Sequence, residues 1–438
     1  MAKYYCEKGK FGKKICREIV EGTDKMLDPK GRNVLVEIRN LDIEYGQGIK
    51  KFTAINNLNL NIYDGEVLGL VGESGSGKST TGRALIGLTP HQFGYIKILD
   101  NIIPKNIEKV SKLGKKRKNI IDFMVNKVQM IFQDPTNSLN PYKNVEYVVG
   151  EGLSNLKNSK YIYLVTEDAN FYVELNKRLE ELNVAPLVEN YKQKLELAKS
   201  EEDSFQYVYV DLYEQLKARN YMGKQFSELF AWYDEAKKLR EENAKLSEKE
   251  CKKRLIIDIL KQVGLDDSVL DRYPLEFSGG QQQRLGICRA VVLQPKLLIA
   301  DEPISALDVS IQAQVINIFN DLKEKYNLTI LFIAHDLRMV EYISDRIAVI
   351  NKGVLLEVGP TEEIIHNSYH PYTRSLLDAV PSIESKKGSL LGYIYDPAMH
   401  GYDEENQPKW QDLGNEHFVL ATDQELAEFI KIKNNKQN

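Results

Sequence analysis

The stretch best suited to chemistry is glycine-rich and carries one lysine followed by one serine. Residues 72–80 read Gly-Glu-Ser-Gly-Ser-Gly-Lys-Ser-Thr, which matches the phosphate-binding loop pattern G-x-x-x-x-G-K-[ST]. Its glycines let the backbone approach phosphate oxygens, and its N–H groups can surround them. Lys78 can reach the β- and γ-phosphates, and the Ser79 hydroxyl can bind Mg²⁺. We expect ATP and Mg²⁺ as cofactors, with the nucleotide bound by Gly72, Ser74, Gly75, Ser76, Gly77, Lys78, Ser79 and Thr80.

Four polar side chains elsewhere suit the hydrolysis of a bound nucleotide. Asp301 suits a Mg²⁺ shell and the nucleotide site, and Glu302 can act as general base for the attacking water. Gln133 offers an amide that can touch both metal and water, and His335 can donate a hydrogen bond to the γ-phosphate. A single residue of any of these types usually has a structural role or simply lies at the protein surface. Together they predict a catalytic set and a metal-binding set, namely Glu302, His335 and Gln133, and Ser79, Gln133 and Asp301.

A second anion-binding element is predicted at Ser278, Gly279, Gly280 and Gln281. A serine hydroxyl and two glycines at a helix start favour a phosphate. One nucleotide rarely needs two such elements from the same subunit. We therefore expect a head-to-tail pair of chains, in which the serine of one subunit contacts the nucleotide held by the other.

An exposed aromatic side chain near the phosphate loop is the expected support for adenine. Tyr45 follows a strand predicted over 34–43, and Phe52 is the second candidate. The alternative interpretation of Tyr45 is a half-buried aromatic residue at a strand end.

Apolar runs and glycine turns predict the elements that must position these residues. The runs at 66–71, 128–132, 297–300 and 329–334 read as buried strands, and helices are predicted between them. Strands that alternate with helices indicate a parallel α/β sheet. Because ligands bind at the carboxyl ends of such strands, the four polar groups should meet the phosphate loop there. Further predictions are strands at 58–62 and 94–99, helices at 80–88, 255–263 and 282–293, and a hairpin over 347–358.

Three segments lie outside this pattern. Residues 1–33 are Lys-rich and are predicted to be loosely ordered or helical. Residues 151–250 read as an amphipathic helical insertion, and residues 382–438 read as a C-terminal extension of mixed helix and loop.

The composition indicates the compartment and class of the protein. Four cysteines give no disulfide framework, which is typical of a reducing compartment. The sequence contains no run of eighteen or more apolar residues, so no membrane span is predicted. The net charge of −4 gives no indication that the chain binds nucleic acid.

The motifs together resemble the ATP-binding cassette ATPases. The resemblance covers roughly residues 34–381 apart from the insertion, and it implies a RecA-like parallel sheet core, an antiparallel β subdomain, an enlarged helical subdomain and a C-terminal appendage. It also implies that Asp308 links two nucleotide sites across a dimer. The matching segments are 72–80 (Walker A), Gln133 (Q-loop), 277–284 (signature), 297–302 (Walker B), 305–308 (D-loop) and His335 (switch histidine).

Within this family the chain resembles the F-type ATP-binding subunit of the oligopeptide/dipeptide importers. The similarity lies in 131–135, 138–141, 272–277, 308–314 and 370–373, together with Ala379-Val380-Pro381. It implies a heterodimer with a D-type ATPase subunit, two transmembrane permease subunits, an indirect extracytoplasmic peptide-binding protein, and a peripheral location on the cytoplasmic face of the membrane. Two other functions stay open, a non-catalytic nucleotide-binding partner and a cassette ATPase acting on ribosomes or DNA. A different cargo, such as nickel or glutathione, is also compatible with the motifs.

Overall fold

The structure is a computed structural model in which the chain divides into two compact units. One contains Met1–Leu139, Phe277–Ala290 and Gln294–Asn438, and the other contains Asn140–Glu276 and Val291–Leu293. Ala306, Ala379-Val380-Pro381 and part of the predicted insertion lie outside the described residues. The structure describes residues 3–8, 13–46, 48–111, 115–156, 158–185, 200–219, 221, 223–305, 307–378, 395–403 and 405–437.

An eight-stranded sheet forms the core of the first unit. Its strand order is β13-β14-β12-β11-β5-β10-β9-β8, and the pairings among β11, β5, β10, β9 and β8 are parallel. The parallel strands are almost continuously apolar and buried, as expected for a sheet covered on both faces. The strands are β5 (Val67–Val71), β8 (Val128–Ile131), β9 (Leu297–Asp301), β10 (Thr329–Ala334), β11 (Arg346–Asn351), β12 (Val354–Pro360), β13 (Lys409–Asp412) and β14 (Phe418–Ala421).

The register of the parallel strands brings their carboxyl ends level. Val71 of β5 lies opposite Ala334 of β10, and Ile333 lies opposite Asp301 of β9. Ile131 of β8 lies opposite Ala300. The residues that follow these strands therefore share one edge of the sheet, and the predicted parallel α/β core is confirmed.

A second, antiparallel sheet in the same unit has the order β4-β3-β6-β7. Tyr45 and Phe52 are paired partners at the end of β3 and β4 where the chain connects the two strands. The predicted antiparallel β region is confirmed. Its strands are β3 (Val34–Tyr45), β4 (Phe52–Tyr63), β6 (Phe93–Ile98) and β7 (Asn101–Ile103).

Several helices of the first unit follow strands of the parallel core. The loop helix begins two residues before the predicted start, because Gly77 adopts a positive φ of 105° directly before Lys78. The signature helix likewise begins at Gly279 rather than Gln282. The helices are α1 (Thr23–Met26), α2 (Lys78–Leu85), α3 (Lys115–Lys127), α4 (Pro135–Ser138), α11 (Gly279–Val291), α12 (Val309–Tyr326), α13 (Leu337–Glu341), α14 (Thr361–Asn367), α15 (Pro371–Asp378) and α16 (Asp423–Gln437).

The second unit is helical throughout its described elements. A π-helical turn at Gln206–Asp211 joins two of its helices, and aromatic side chains such as Phe171, Tyr209 and Tyr233 fill its interior. None of the helices that the structure describes is long and apolar enough to cross a membrane. The helices of this unit are α5 (Val145–Leu156), α6 (Ser159–Glu181), α7 (Glu201–Phe205), α8 (Leu212–Ala218), α9 (Lys224–Asn243) and α10 (Glu248–Gln262).

The N-terminal extension differs from its prediction. Strands β1 (Tyr4–Lys8) and β2 (Lys14–Glu18) pair antiparallel and place Cys6 opposite Cys16, and the two cysteines form a disulfide. The prediction of a loose or helical segment without a disulfide is therefore wrong here. An edge-to-face contact between Tyr5 and Phe93, with centroids 5.5 Å apart, gives the hairpin an apolar anchor that composition alone did not indicate.

The C-terminal extension also differs from the predicted mixture of helix and loop. Strand β14 pairs antiparallel with β12, and β13 pairs with β14, so both extend the central sheet. The four residues of β14 are all buried. A short apolar segment at the edge of a sheet gains both backbone hydrogen bonds and burial when it pairs there. These gains favour a strand even where the local sequence has only a weak preference for one.

Candidate active site

The Lys78 ammonium lies inside the phosphate loop, held by the backbone. Its Nζ donates to the carbonyl oxygens of Gly72 at 2.6 Å and Glu73 at 2.9 Å. The side chain is buried. Burial lowers the pKa of Lys78, while the carboxylates of Glu302 and Asp301 act in the opposite direction. The loop thus presents a desolvated cation, which suits a phosphate.

Close backbone packing explains two of the loop glycines. A Cβ on Gly72 would lie 2.1 Å from the carbonyl oxygen of Ile350. A Cβ on Gly77, which has a positive φ, would lie 2.7 Å from that of Ala54. The turn between β11 and β12 braces the loop directly, because the Gly353 N–H donates to the Ser76 carbonyl at 2.9 Å. Gly75 also has a positive φ, with no neighbouring atom near its Cβ direction.

Ser79 and Asp301 form a pair of oxygen ligands suited to Mg²⁺. The Ser79 hydroxyl donates to Asp301 Oδ1 at 2.7 Å. Neighbouring oxygens in an octahedral Mg²⁺ shell lie about 3 Å apart, so these two atoms fit adjacent positions in one shell. Burial raises the pKa of Asp301, although the Ser79 hydrogen bond and Arg83 oppose it. A divalent cation would restore the charged carboxylate that burial disfavours.

Glu302 lies between Gln133 and His335. Gln133 Nε2 donates to Glu302 Oε2 at 3.0 Å, and His335 Nδ1 lies 3.5 Å from the same oxygen. Glu302 has a φ of +47°, and its N–H donates to the Ile333 carbonyl at 3.0 Å. The structure therefore brings together the three residues predicted to be catalytic, beside the Ser79 and Asp301 pair.

Tyr45 lies at the edge of the antiparallel sheet, close to the end of the phosphate loop. Its hydroxyl is 3.5 Å from the Thr80 hydroxyl, and 43% of its surface is exposed. Phe52, its strand partner, is 60% exposed. Exposed aromatic side chains of this kind can stack on a planar ligand.

The signature residues Ser278 and Gln281 are hydrogen-bonded to each other at a helix start. The Ser278 N–H donates to Gln281 Oε1 at 3.1 Å, and the Gln281 N–H donates to Ser278 Oγ at 3.4 Å. Gly279 has open space where a Cβ would be, and Gly280 packs near Ile311. None of the hydrogen bonds described for Ser278 and Gln281 reaches a residue of the phosphate loop in the same chain. Asp308 is exposed and directly precedes α12.

Two residues that contact the phosphate loop were missed by sequence reasoning. One is Gly353, at the turn that braces Ser76. The other is Tyr372, whose hydroxyl accepts a hydrogen bond from the Glu73 N–H at 2.8 Å. Tyr372 belongs to a segment that the sequence comparison with importers singled out, but nothing local assigned it a contact so distant in the chain.

Two family models match the chain. The family model described as ABC transporter matches residues 55–305, and the model described as oligopeptide/dipeptide transporter, C-terminal region, matches residues 356–399. The chain is 38% identical over 401 residues to the oligopeptide transport ATP-binding protein AmiF of Streptococcus pneumoniae, covering 91% of this chain and 98% of that relative. It is 36% identical over 412 residues to the dipeptide transport ATP-binding protein DppF of Lactococcus lactis, covering 93% and 99%.

Among solved structures, the chain is similar to CbiO1 of Clostridium perfringens, described as part of the ABC transporter complex cbiONQ. The TM-score is 0.49 at 19% sequence identity, covering 77% of this chain and 92% of that one. The family matches and the two full-length relatives, together with the phosphate loop and the Glu302 cluster, show that the chain belongs to the ATP-binding subunits of ABC transporters, in the oligopeptide/dipeptide branch, and is an ATPase.

Proposed function

We propose that this chain is the ATP-hydrolysing F-type motor subunit of an importer for oligopeptides. The observation that carries the proposal is the cluster in which Gln133 and His335 both approach one carboxylate oxygen of Glu302. The cluster lies at the strand ends beside the phosphate loop, where hydrolysis chemistry requires it. The oligopeptide/dipeptide relatives support the cargo class.

In the proposed binding mode, Tyr45 stacks on adenine and the loop backbone from Gly75 to Thr80 surrounds the phosphates. Lys78 contacts the β- and γ-phosphates, and Ser79, Gln133 and Asp301 would hold Mg²⁺. Bound Mg²⁺ would neutralise charge on the phosphate oxygens and help align them for an in-line displacement. The buried position of Lys78 supports this role, because a desolvated ammonium interacts more strongly with an anion than a solvated one.

In the proposed reaction, Glu302 accepts a proton from water while the water oxygen attacks the γ-phosphorus. The bond from that phosphorus to the β,γ-bridging oxygen breaks, giving ADP and inorganic phosphate. Gln133 orients the water, and His335 donates a hydrogen bond to the γ-phosphate. Gln133 and His335 both approach the same oxygen of Glu302, and these contacts orient the carboxylate.

The proposed assembly is a head-to-tail heterodimer with a D-type ATPase subunit. Ser278, Gly279, Gly280 and Gln281 would close on the partner's nucleotide, and Asp308 would link the two sites. The exposure of Ser278 and Asp308 supports this arrangement. This chain would lie peripherally at the cytoplasmic face of the membrane, and two transmembrane permease subunits would carry the peptide delivered by an extracytoplasmic binding protein.

We also propose the domain limits expected from the sequence. Residues 34–381 form the ATPase domain, 151–250 are a helical insertion within it, and 1–33 and 382–438 are extensions. The many helices of the unit formed by Asn140–Glu276 support an enlarged helical region.

The test is to capture the tagged chain from detergent-solubilised membranes and assay ATPase activity in the eluate. Recovery of a second cassette subunit and two multi-span proteins, with Mg²⁺-dependent turnover, supports the importer assignment. Recovery of ribosomes or nucleic acid, or of the chain alone, would remove the transport function and leave the nucleotide chemistry in place.

A further inference from the structure

The hydroxyl of a buried tyrosine, Tyr372, contacts the phosphate loop from the C-terminal region. Its oxygen accepts a hydrogen bond from the Glu73 N–H at 2.8 Å, across 299 residues of sequence. Tyr372 is fully buried, and its hydrogen bond with the Glu73 N–H is partly buried. A hydrogen bond of this kind holds its donor more firmly than one at the surface.

The peptide group that Tyr372 contacts is the one that also holds Lys78. The Glu73 N–H and the Gly72 carbonyl belong to the same peptide plane and point in opposite directions. Tyr372 binds the N–H, and the Lys78 ammonium donates to the carbonyl at 2.6 Å. The tyrosine therefore fixes from one side the peptide that positions the catalytic lysine on the other.

Tyr372 is itself held by a buried hydrogen-bond network. Its N–H donates to His370 Nδ1 at 3.1 Å, and the His370 N–H donates to Glu357 Oε2 at 3.2 Å. The other carboxylate oxygen, Glu357 Oε1, accepts the Tyr369 N–H at 2.7 Å and lies 2.8 Å from His417 Nε2. Both Glu357 and His370 are fully buried. The network ties the start of α15 to the central strand β12.

The acceptor role of His370 is stable across ordinary pH. Burial lowers the pKa of His370 to about 3, and the nearby His400 and Arg374 act in the same direction. His370 Nδ1 therefore keeps its lone pair for the Tyr372 N–H. The anchor does not depend on nucleotide, since all its members are protein groups.

We propose that Tyr372 is a positioning residue for the ATPase reaction, which presets the Gly72–Glu73 peptide and through it the Lys78 ammonium before nucleotide binds. The tyrosine touches neither substrate nor metal in this role. The inference rests on nucleotide binding at the loop and is independent of the cargo and of the membrane partners. It assigns a function to a segment that the ATP-binding motifs do not include.

The test is the Tyr372→Phe variant, which keeps the ring and removes only the hydroxyl. The hydroxyl also makes a hydrogen bond with the Asn351 side chain, so the variant loses that contact together with the bond from the Glu73 N–H. Loss of a loop-holding hydrogen bond of about 1 kcal/mol corresponds to about a fivefold change in an equilibrium constant. We expect the ATP dissociation constant of the full chain, and the KM of the captured complex, to rise about fivefold. We expect kcat to stay within about twofold, because loop presetting affects ground state and transition state alike.

The matched control is Tyr233→Phe, in the helical unit, where a buried tyrosine hydroxyl donates to the Val208 carbonyl. This variant also loses one buried hydroxyl contact, but it should leave the ATP dissociation constant unchanged. The unfolding temperature is measured for both variants. An unchanged dissociation constant in Tyr372→Phe, with or without a lower unfolding temperature, would overturn the proposal, and so would equal weakening in both variants. Failure of the wild-type chain to bind ATP would instead remove the proposed function.

Discussion

Glu302 combines an uncommon backbone conformation with the position expected of the general base. A φ of +47° is disfavoured for a side chain of this size and costs roughly 1–2 kcal/mol. The Glu302 N–H compensates by donating to the Ile333 carbonyl of β10. The conformation turns the carboxylate toward Gln133 and His335. Strain of this type is common where a side chain must be aimed at a reacting group.

Replacing Glu302 by Gln should separate binding from hydrolysis. Gln keeps the size and hydrogen-bonding ability of the side chain but cannot accept the proton of the attacking water. We expect ATP affinity within about threefold of wild type and turnover reduced by about a hundredfold or more, as measured by steady-state phosphate release in the captured complex.

Glu324→Gln, at an exposed carboxylate on α12, is the control and should hydrolyse ATP at the wild-type rate. If Glu302→Gln retains full turnover, another group is the base.

At the scale of elements, the helical unit depends on one buried ion pair. Arg240 of α9 donates from Nε to Asp168 Oδ1 of α6 at 2.6 Å and from Nη2 to Asp168 Oδ2 at 3.1 Å. The Ser204 hydroxyl donates to the same carboxylate at 2.7 Å. Both charged side chains are buried, so removing one partner leaves the other without compensation.

Arg240→Leu should therefore destabilise this unit by about 3–5 kcal/mol. Urea unfolding is followed by the fluorescence of Trp232 in a Trp410→Phe background, because Trp232 belongs to the helical unit and Trp410 does not. The double variant Asp168→Leu/Arg240→Leu should recover part of the loss.

Lys224→Ala removes an exposed pair with Glu228 on the same helix and should cost less than about 1 kcal/mol. A similar small effect of Arg240→Leu would show that the buried pair contributes little.

His370, directly before α15, gives the fold a predictable acid sensitivity. The pKa of His370 is about 3 in the folded chain and near 6.5 when unfolded. The contribution of neutral His370 to the free energy of unfolding is complete above about pH 6.5. It is lost as pH falls toward about 3, at about 1.4 kcal/mol per pH unit.

His370→Asn keeps an acceptor that does not titrate, so this variant should lose less stability than wild type between about pH 6.5 and pH 5. Thermal unfolding at a series of pH values measures the difference. His366→Asn changes an exposed side chain and should follow the wild-type curve. Parallel curves for wild type and His370→Asn would show that His370 is not the source.

At the scale of the whole molecule, the exposed signature element predicts a nucleotide-dependent dimer. The Glu302→Gln variant should bind ATP but not hydrolyse it to ADP and phosphate. The ATP-bound, closed dimer should therefore accumulate. Size-exclusion chromatography with light scattering should show about twice the single-cassette mass when ATP and the captured partner subunit are present. Ser278→Arg in the same background places a bulky cation at the proposed contact and should abolish the dimer. A dimer that persists in that variant would place the contact elsewhere.

The chemistry expected at the site follows from residue types and their spacing. Spacing alone specified the loop of residues 72–80, because phosphate binding needs glycines and a lysine at fixed distances along a short chain segment. Apolar runs also predicted the parallel strands, since burial on both faces leaves a continuous hydrophobic signal. Alternation of those strands with helices was enough to predict that Asp301, Glu302, Gln133 and His335 share an edge.

Contacts between segments with weak local signals could not be predicted from the sequence and are seen only in the folded chain. The two C-terminal strands extend the central sheet because β14 pairs with β12. The Cys6–Cys16 hairpin forms a two-stranded sheet of its own and packs on the second sheet through the Tyr5–Phe93 contact. No local pattern encodes either arrangement. Tyr372 reaches Glu73 because β12 and α15 place it there, although the two residues are 299 positions apart. Local propensity acts over a few residues, whereas these contacts depend on how distant strands pack, so their energies appear only once the sheet has formed.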